Sequence, residues 1–480
     1  MSSLIVDLDG TLTNTDCSVE SLCSAITKNP LIIFYSIFWY FKGKPYLKKR
    51  LFDASNFQVK NLPFNESVIK IIKDAKIQNK KIYLFTGSTQ KIADEVSNLL
   101  NLFDGSFGSN NKINLTSHNK LIKIRDIIGN EPFSYVGNSK ADLPVWEEAE
   151  KIYIVSNFGE SLEKKLDNQA PKVILKSENS YFSFVKILRP YQWLKNILVF
   201  VPFFLYEYST LNELRMSVIG FVSFSLAASS VYIFNDFLDV SSDREHPTKK
   251  KRPFASGELS LLHSFWMIPV LLIPSLILAT SVSFNSFIII LTYIMVTFFY
   301  SVYLKKVLIL DICILASLYT LRLIGGAIFI QSEFYLSPWL INFSIFFFFF
   351  LACIKRESEL IVGIDASQEN SRRSYFKEDR KIISNLSASS GLLSVLVLLL
   401  YAENSMNLTA FSSPILLWFL SPVFLYWVSR FCIISSRGHI REDPLLFATK
   451  DRVSILFAIL VFVIIYAAKF SEISYVINYK

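Results

Sequence analysis

The chain is patterned in two ways. Up to about residue 180, short apolar runs alternate with mixed polar stretches; from about 190 to 470, long apolar runs follow one another and polar residues retreat to the connections. In the first part, Ser3–Leu12 (SLIVDLDGTL), Lys81–Thr89 (KIYLFTGST) and Phe133–Trp146 (FSYVGNSKADLPVW) each carry a compact apolar run punctuated by glycine, hydroxyl or acidic residues. Such runs predict buried strands, and the helical stretches between them predict a parallel sheet. Residues 168–179 (NQAPKVILKSEN) predict a final strand and then a linker. Asn29–Lys42 (NPLIIFYSIFWYFK) is too short to cross a bilayer. Its aromatics and flanking lysines suit a cap helix lying on a membrane surface, and a buried cap helix fits the pattern nearly as well.

The second part holds nine long apolar runs, at Ile197–Tyr208, Ser217–Phe237, Leu262–Val282, Phe284–Tyr303, Val307–Ile330, Pro338–Ile354, Leu386–Ala402, Phe411–Ile434 and Ser454–Phe470. They predict nine membrane spans, the first of them short. The loops after the second, fourth, sixth and eighth runs carry Lys249–Arg252, Lys305–Lys306, Arg372–Lys381 and Arg437–Arg452, whereas the loops near Ser283, Ser332 and Asn404 hold almost no cations. Cation-rich loops stay in the cytoplasm. That places the first domain there too, within an inner-membrane protein, and leaves Lys480 on the far side. The expected architecture is an N-terminal α/β Rossmann-like domain over 1–178 and a C-terminal all-α polytopic membrane domain of about nine spans over 179–480.

Composition agrees with this division. A length of 480 residues suggests two domains, and 52% hydrophobic residues are too many for a wholly soluble protein. The net charge of +9 could serve nucleic acid, but the cations cluster between apolar runs, which points to membrane topology and anionic substrates instead. Cysteines 17, 23, 313, 353 and 432 are too scattered for a metal site or a disulfide framework. Met1 leads straight into a strand-like run with acids, so no cleavable signal peptide is expected. The sequence leaves the oligomeric state open, a homo-oligomer included.

The densest chemistry lies in Asn235–Gly257 (NDFLDVSSDREHPTKKKRPFASG). Asp236, Asp239 and Asp243 sit at i, i+3 and i+7, on one face of a helix with Asn235 beside them. Acids this close need a positive partner. One candidate is Mg²⁺, which takes oxygen ligands and shares them with phosphates. The other is the basic cluster of Arg244, Lys249, Lys250, Lys251 and Arg252. Further charged candidates follow at Lys305 and Lys306, at Asp311, Tyr319 and Arg322 (i, i+8, i+11, one helical face), and at Lys355, Arg356, Glu357 and Glu359. Charges inside spans face a cavity or a partner, so Asp311 and Arg322 fit structural pairing as well. His439–Pro444 and Lys450–Arg452 could close over such a site or form a plain solvated loop.

Asn235–Gly257 resembles the first signature of UbiA-type intramembrane prenyltransferases, NDxxDxxxD followed by RP. Asp243, Arg244, His246, Pro247, Lys249, Arg252 and Pro253 follow the DRxHPxKxxRP pattern of the decaprenyl-phosphate phosphoribosyltransferase branch. Arg189–Pro202 (RPYQWLKNILVFVP), Tyr300–Asp311 (YSVYLKKVLILD) and Lys355–Leu360 (KRESEL) are similar to other segments of that branch, and the resemblance spans about 185–475. It implies transfer of 5-phosphoribose from phosphoribosyl diphosphate to a polyprenyl phosphate. Mg²⁺ would sit on Asp236, Asp239 and Asp243, and His246, Lys249 and Arg252 would hold phosphate oxygens. Lys355 and Arg356 would grip a second phosphate, with Asn235, Lys305, Tyr319 and Arg322 completing the substrate site. The first motif alone also permits a prenyltransferase acting on an aromatic acceptor, although KRESEL stands where those enzymes carry paired aspartates. A lipid-phosphate transporter or scaffold is a third class, but transport needs no row of acids at one helix end.

Asp7 and Asp9, two residues apart, can both project at the carboxyl end of a strand, where open α/β sheets bind ligands. With Thr86, Asn138 and Asp142 they resemble the loops of haloacid-dehalogenase-type phosphatases. The resemblance implies Asp7 as nucleophile, Asp9 as general acid/base, Thr86 on the phosphate and Lys120 (with Lys112 and Lys123 nearby) as charge neutraliser. Asp7 and Asp142 would hold Mg²⁺. Asn138 stands where that family usually has Asp. Fused to the transferase, such a domain would remove the 5-phosphate from its product.

Overall fold

The computed structural model describes residues 2–29, 31–110, 113–156, 159–166, 170–175, 181–205, 210–330, 336–362, 375–405, 411–441 and 443–471. The expected linker at 176–179, the loop around 332, the cations at 372–373 and the C-terminal Lys480 lie outside these residues. The chain packs as two units, one of Met1–Leu188 with Tyr232–Ile268, the other of Arg189–Val231 with Pro269–Lys480. The composition changes near residue 178, whereas the packing groups 232–268 with the N-terminal part.

The first unit begins β1 (Ser3–Asp7), α1 (Cys17–Lys28), α2 (Ile32–Phe41), α3 (Lys44–Ala54), α4 (Glu66–Ile77), β2 (Ile82–Thr89), α5 (Gln90–Leu100), β3 (Gly105–Ser109) and α6 (His118–Ile128). It continues β4 (Phe133–Gly137), α7 (Leu143–Glu147), β5 (Lys151–Val155), α8 (Gly159–Glu163), β6 (Lys172–Leu175) and α9 (Tyr181–Leu188). All six strands are parallel, in the order β3-β2-β1-β4-β5-β6. The strand order reverses at β1, which opens a crevice at its carboxyl end. Strand alternation covers both faces. Leu4 and Val6 pack with Val68, Ile72 and Val96; Ile5 packs on the other side with Phe85, Ile124 and Trp146. Asp16 and Asn65 start α1 and α4 by accepting backbone N–H bonds. Only Ile32 of α2 is buried, and Phe38 and Phe41 are 68% and 83% exposed, so the helix is not the buried cap helix that its pattern also allowed.

The remaining helices are α10 (Val201–Leu205), α11 (Leu211–Glu245), α12 (Pro253–Ser256), α13 (His263–Val282), α14 (Phe284–Val302), α15 (Leu310–Ile330) and α16 (Pro338–Val362). They are followed by α17 (Arg380–Ser405), α18 (Leu420–Ser436), α19 (Pro444–Lys450) and α20 (Arg452–Phe470). Among the described residues eight helices, not the expected nine, are long and apolar enough to cross a membrane. The run at 197–208 is the exception. Pro190–Phe200 forms a 3-10 segment that leads into the short α10. Side-chain bonds tie this segment down: Trp193 Nε1 donates to Ser229 Oγ at 2.9 Å, and Asn196 Nδ2 to Ser225 Oγ at 2.9 Å. Gly326 of α15 lets it come close, because a Cβ there would lie 2.2 Å from the Val199 carbonyl oxygen. The core of the second unit is aromatic, with Trp427 stacked on Phe431 and Phe457 at 4.4 and 4.9 Å. Helices in lipid associate through such packing rather than through the hydrophobic effect.

Gly326→Ala is expected to lower stability by about 1–3 kcal/mol through overpacking against the Val199 backbone. The check is thermal unfolding in detergent, and an unchanged midpoint would show that no such close approach exists.

Candidate functional site

Three groups of buried charge account for most of the expected site residues. The first lies at the carboxyl end of β1. Asp7 ends the strand, and Gly10, at φ +71°, turns the chain so that Asp9 faces the same loops. Lys120 Nζ lies 2.7 Å from Asp7 Oδ1, 3.3 Å from Asp142 Oδ1 and 2.9 Å from the Tyr135 hydroxyl. Lys123 instead lies at the surface near Asp126, and Lys112 lies outside the described residues. Asp142 is saturated: Oδ1 also accepts from Tyr135, and Oδ2 from the Asn138 and Ser139 N–H groups and the Ser139 hydroxyl. Asp9 accepts from Thr86 Oγ1 (2.9 Å), Ser88 Oγ (2.8 Å) and the Cys17 N–H (2.8 Å).

Two acids here share one ammonium, and their titration separates accordingly. Burial pushes Asp7 up to about 7, against the pull of Lys120 and with help from Asp142 and Asp9. Burial also opposes ionisation of Asp142, but Lys120, Tyr135 and the backbone N–H bonds outweigh it and hold Asp142 below the usual range. Burial works against the charge on Lys120 as well; Asp7 and Asp142 outweigh it, and the lysine is raised above its ordinary value.

The second group closes α11. At 35 residues this helix is roughly 50 Å long by the usual rise per residue, more than the ~30 Å core of a bilayer. Asp236, Asp239 and Asp243 occupy its last turns. The chain then turns back, and Arg252 Nη1 lies 3.1 Å from Asp236 Oδ1 and 2.6 Å from Asp243 Oδ2. The basic cluster thus sets a guanidinium between these two acids. Asp236 and Asp243 are buried and Asp239 is half-buried. The side-chain oxygen of Asn235 is buried without a hydrogen-bond partner. His246 Nδ1 accepts the Thr248 N–H at 3.2 Å and so shapes the turn that carries Lys249. Among the described residues, no three His, Cys, Asp or Glu side chains come together closely enough to hold an ion.

Arg244 turns away from these acids. It donates to both oxygens of Glu20 on α1, at 3.1 and 2.6 Å, and to the Ala255 carbonyl at 3.0 Å. Asn61 Nδ2 reaches Glu245 at 3.0 Å, and Asn14 Nδ2 reaches the Ser256 carbonyl at 3.2 Å. Gly257, at φ +79°, presses so close that a Cβ would stand 2.7 Å from the Cβ of Asn14. On α9, Ser183 and Lys186 bond Glu258. The acid-bearing segment is thus built into the same unit as the sheet. Glu20 was missed in the sequence. Its only signal is an acid on the buried face of α1, where a charge needs a partner.

The third group belongs to the second unit. Arg356, expected at a phosphate, is buried and spent on Asp311 (2.5 Å), Glu359 and the Tyr300 hydroxyl (3.2 Å); Tyr375 completes the set on Asp311. Arg322 donates to Asn196 Oδ1 at 2.7 Å and Tyr293 at 2.8 Å, and its guanidinium lies 5.5 Å from the Tyr319 ring. Lys195 and Lys355 converge on Asp443 at 2.7 and 3.4 Å. Burial opposes the Asp443 charge, yet Lys355 and Lys195 hold its carboxyl well below the usual range. Lys305 stands in the 3-10 turn after α14.

Residues 196–439 match the profile of the UbiA prenyltransferase family. The chain belongs to that family. It is similar to an uncharacterised protein of Sinorhizobium fredii, 32% identical over 94% of this chain and 88% of the other, an alignment that runs through the α/β part as well. It is also similar to the decaprenyl-phosphate phosphoribosyltransferase of Mycolicibacterium smegmatis, 30% identical over 58% of this chain and 89% of that one. Among solved structures it resembles a UbiA homologue from Archaeoglobus fulgidus bound to GPP and Mg²⁺, with a TM-score of 0.47 and 16% identity, covering 59% of this chain and 99% of that one. This UbiA-family chain is a multi-pass membrane protein and an enzyme of the prenyltransferase superfamily.

Glu20→Ala leaves a buried guanidinium without its acid and is expected to cost about 3–5 kcal/mol. Pairing it with Arg244→Met should recover part of that loss, as read from unfolding midpoints in detergent. Strictly additive losses would mean that the two side chains do not interact.

Proposed function

We propose that this chain transfers 5-phosphoribose from phosphoribosyl diphosphate to a polyprenyl phosphate, at the cytoplasmic face of the inner membrane. One observation carries the reading: two buried acids and an unbonded amide oxygen gather at the end of a membrane helix, around a guanidinium and beside a run of lysines. The segment lies within the stretch matched by the UbiA family, and the relative in Mycolicibacterium is named for this reaction.

Asn235, Asp236 and Asp243, with Asp239 on the same face, supply oxygen donors suited to Mg²⁺ and would hold it. Held there, the ion would supply positive charge against the departing diphosphate. Arg252 and Lys249 would take phosphate oxygens, the guanidinium in bidentate fashion. Lys195 and Lys355, drawn together on Asp443 within the second unit, suit a phosphate. In the transfer, an oxygen of the acceptor's phosphate forms the new bond to the anomeric carbon, and the bond from that carbon to diphosphate breaks.

The α/β domain fits a phosphatase of the haloacid-dehalogenase type. Asp7 would attack phosphorus to form an aspartyl-phosphate, Asp9 would protonate the leaving hydroxyl, and Thr86 and Lys120 would hold the phosphoryl oxygens. Asp142, with every lone pair engaged, positions Lys120. A second Mg²⁺ would be held at Asp7, whose expected partner, Asp142, is engaged by Lys120, Tyr135 and the Asn138–Ser139 turn. The domain's substrate would be the 5-phosphate of the transferase product.

Mass spectrometry of lipids made by the purified chain from phosphoribosyl diphosphate, polyprenyl phosphate and Mg²⁺ is expected to show a polyprenyl-phosphoryl ribose product. Asp236→Asn or Asp243→Asn should slow its formation by about 100-fold or more. Incorporation of a labelled prenyl diphosphate in its place would refute the reading. With Asp7→Asn the lipid product should carry one phosphate more than with the unaltered chain; an equal number would remove the phosphatase step.

A further inference from the structure

Neither proposed reaction uses α2 or the basic side of α3. These two helices form a hairpin held to α1 by a small cluster of Ala25, Ile32 and Leu51, with Trp39 and Leu47 packed against it. Everything else on α2 points outward. Phe34, Ile37, Phe38, Tyr40 and Phe41 are between 53% and 83% exposed, on a ten-residue helix with no charge. Lys42, Lys44, Lys49 and Arg50 follow directly. An aromatic, aliphatic face edged with cations matches the boundary between acyl chains and anionic headgroups. It is a poor match for water, and at roughly 15 Å the helix is too short to span a bilayer. The chain brings its own bilayer, through eight apolar helices.

The same hairpin reaches the α/β site. Lys48 of α3 donates to the Gly87 carbonyl at 2.6 Å, one residue beyond Thr86. Between α3 and the carboxyl ends of the strands lies a cavity of about 240 Å³, lined by Lys48, Lys49, Phe52, Asp53, Lys91 and Ser109. Three ammonium groups against one carboxylate leave it a place for an anion. It is separate from the one that Thr86 and Lys120 would hold at Asp7.

We propose that α2 embeds in the bilayer surface and that the α/β domain acts on a lipid-anchored substrate bearing two anionic groups. The terminal phosphate monoester would sit at Asp7, and the phosphodiester joining it to the lipid would sit among Lys48, Lys49 and Lys91. This rests on the phosphatase reading above and adds where the substrate's second anion and its lipid end are held. Water attacks the aspartyl-phosphate on Asp7 and releases inorganic phosphate, and the proton given to the leaving hydroxyl is recovered from that water.

The test uses the full chain in nanodiscs of phosphatidylcholine and phosphatidylglycerol. An environment-sensitive fluorescent amino acid at position 38 should be quenched by brominated lipid, while the same probe at position 73, on exposed α4, should not. Equal quenching at both positions, or none at 38, overturns the bilayer contact; shielding of 38 without lipid quenching assigns the face to a protein partner and overturns it too. Hydrolysis is read with two probes, phosphatidylinositol 4-phosphate in the disc and ribose 5-phosphate in solution. Replacing Phe34, Phe38 and Phe41 by Ser should raise KM for the lipid probe at least about tenfold while kcat/KM for ribose 5-phosphate stays within about twofold, as expected when only apolar burial is lost. Lys49→Ala with Lys91→Ala should do the same. Parallel changes for both probes overturn the two-anion assignment. Failure of the unaltered chain to hydrolyse either probe sinks the phosphatase reading and the substrate class with it, and the quenching measurement still decides the bilayer contact.

Discussion

An acid withdrawn from water survives as an anion only beside a positive charge, and the second acid of a pair makes the requirement stricter. This chain meets that requirement repeatedly by setting one cation between carboxylates. Lys120 stands between Asp7 and Asp142, Arg252 between Asp236 and Asp243, and Arg356 between Asp311 and Glu359. Asp443 inverts the scheme, one acid held by two lysines. Lys120, Arg356 and Asp443 each join elements that are distant in sequence, whereas Arg252 closes a local turn on the helix that carries its acids.

These clusters differ in what they can do. Arg356 is sealed by acids and hydroxyls from three segments and has little left to offer a ligand. Arg252 keeps more than a quarter of its side chain exposed and is therefore the guanidinium still open to a further partner. Lys120 is sealed as well, yet it touches the carboxylate at the mouth of the strand crevice. Burial and pairing thus sort a long roll of charged residues into those closed off inside the fold and those still open to solvent.

Much of this was legible in the sequence because it is local. The strand punctuated by Asp7, Asp9 and Gly10 needs only a few consecutive residues to declare itself, and so does the helical register of Asp236, Asp239 and Asp243. Long-range pairings left no such trace. Glu20 and Arg244 are separated by 224 positions, Lys195 and Asp443 by 248, and nothing in the pattern of either segment names the other. Apolar runs announced the membrane helices well but misjudged one, because hydrophobicity does not reveal that Trp193 and Asn196 bind neighbouring serines and draw Pro190–Phe200 into a tighter winding. In α2 the difficulty was the reverse. A helix apolar on every side has no polar stripe to orient it, so periodicity cannot separate a core from a lipid surface.

The bidentate contact of Glu20 with Arg244, together with the seat of Gly257 against Asn14, bears on how such a chain can evolve. Were the gene cut between its two compositional halves, the membrane fragment would carry an orphaned guanidinium and an unsupported turn at its acid-bearing segment, and the soluble fragment a stranded buried glutamate. Fission would need compensating changes on both sides at once. The two compositional halves of this chain are therefore joined by more than the peptide bond between them.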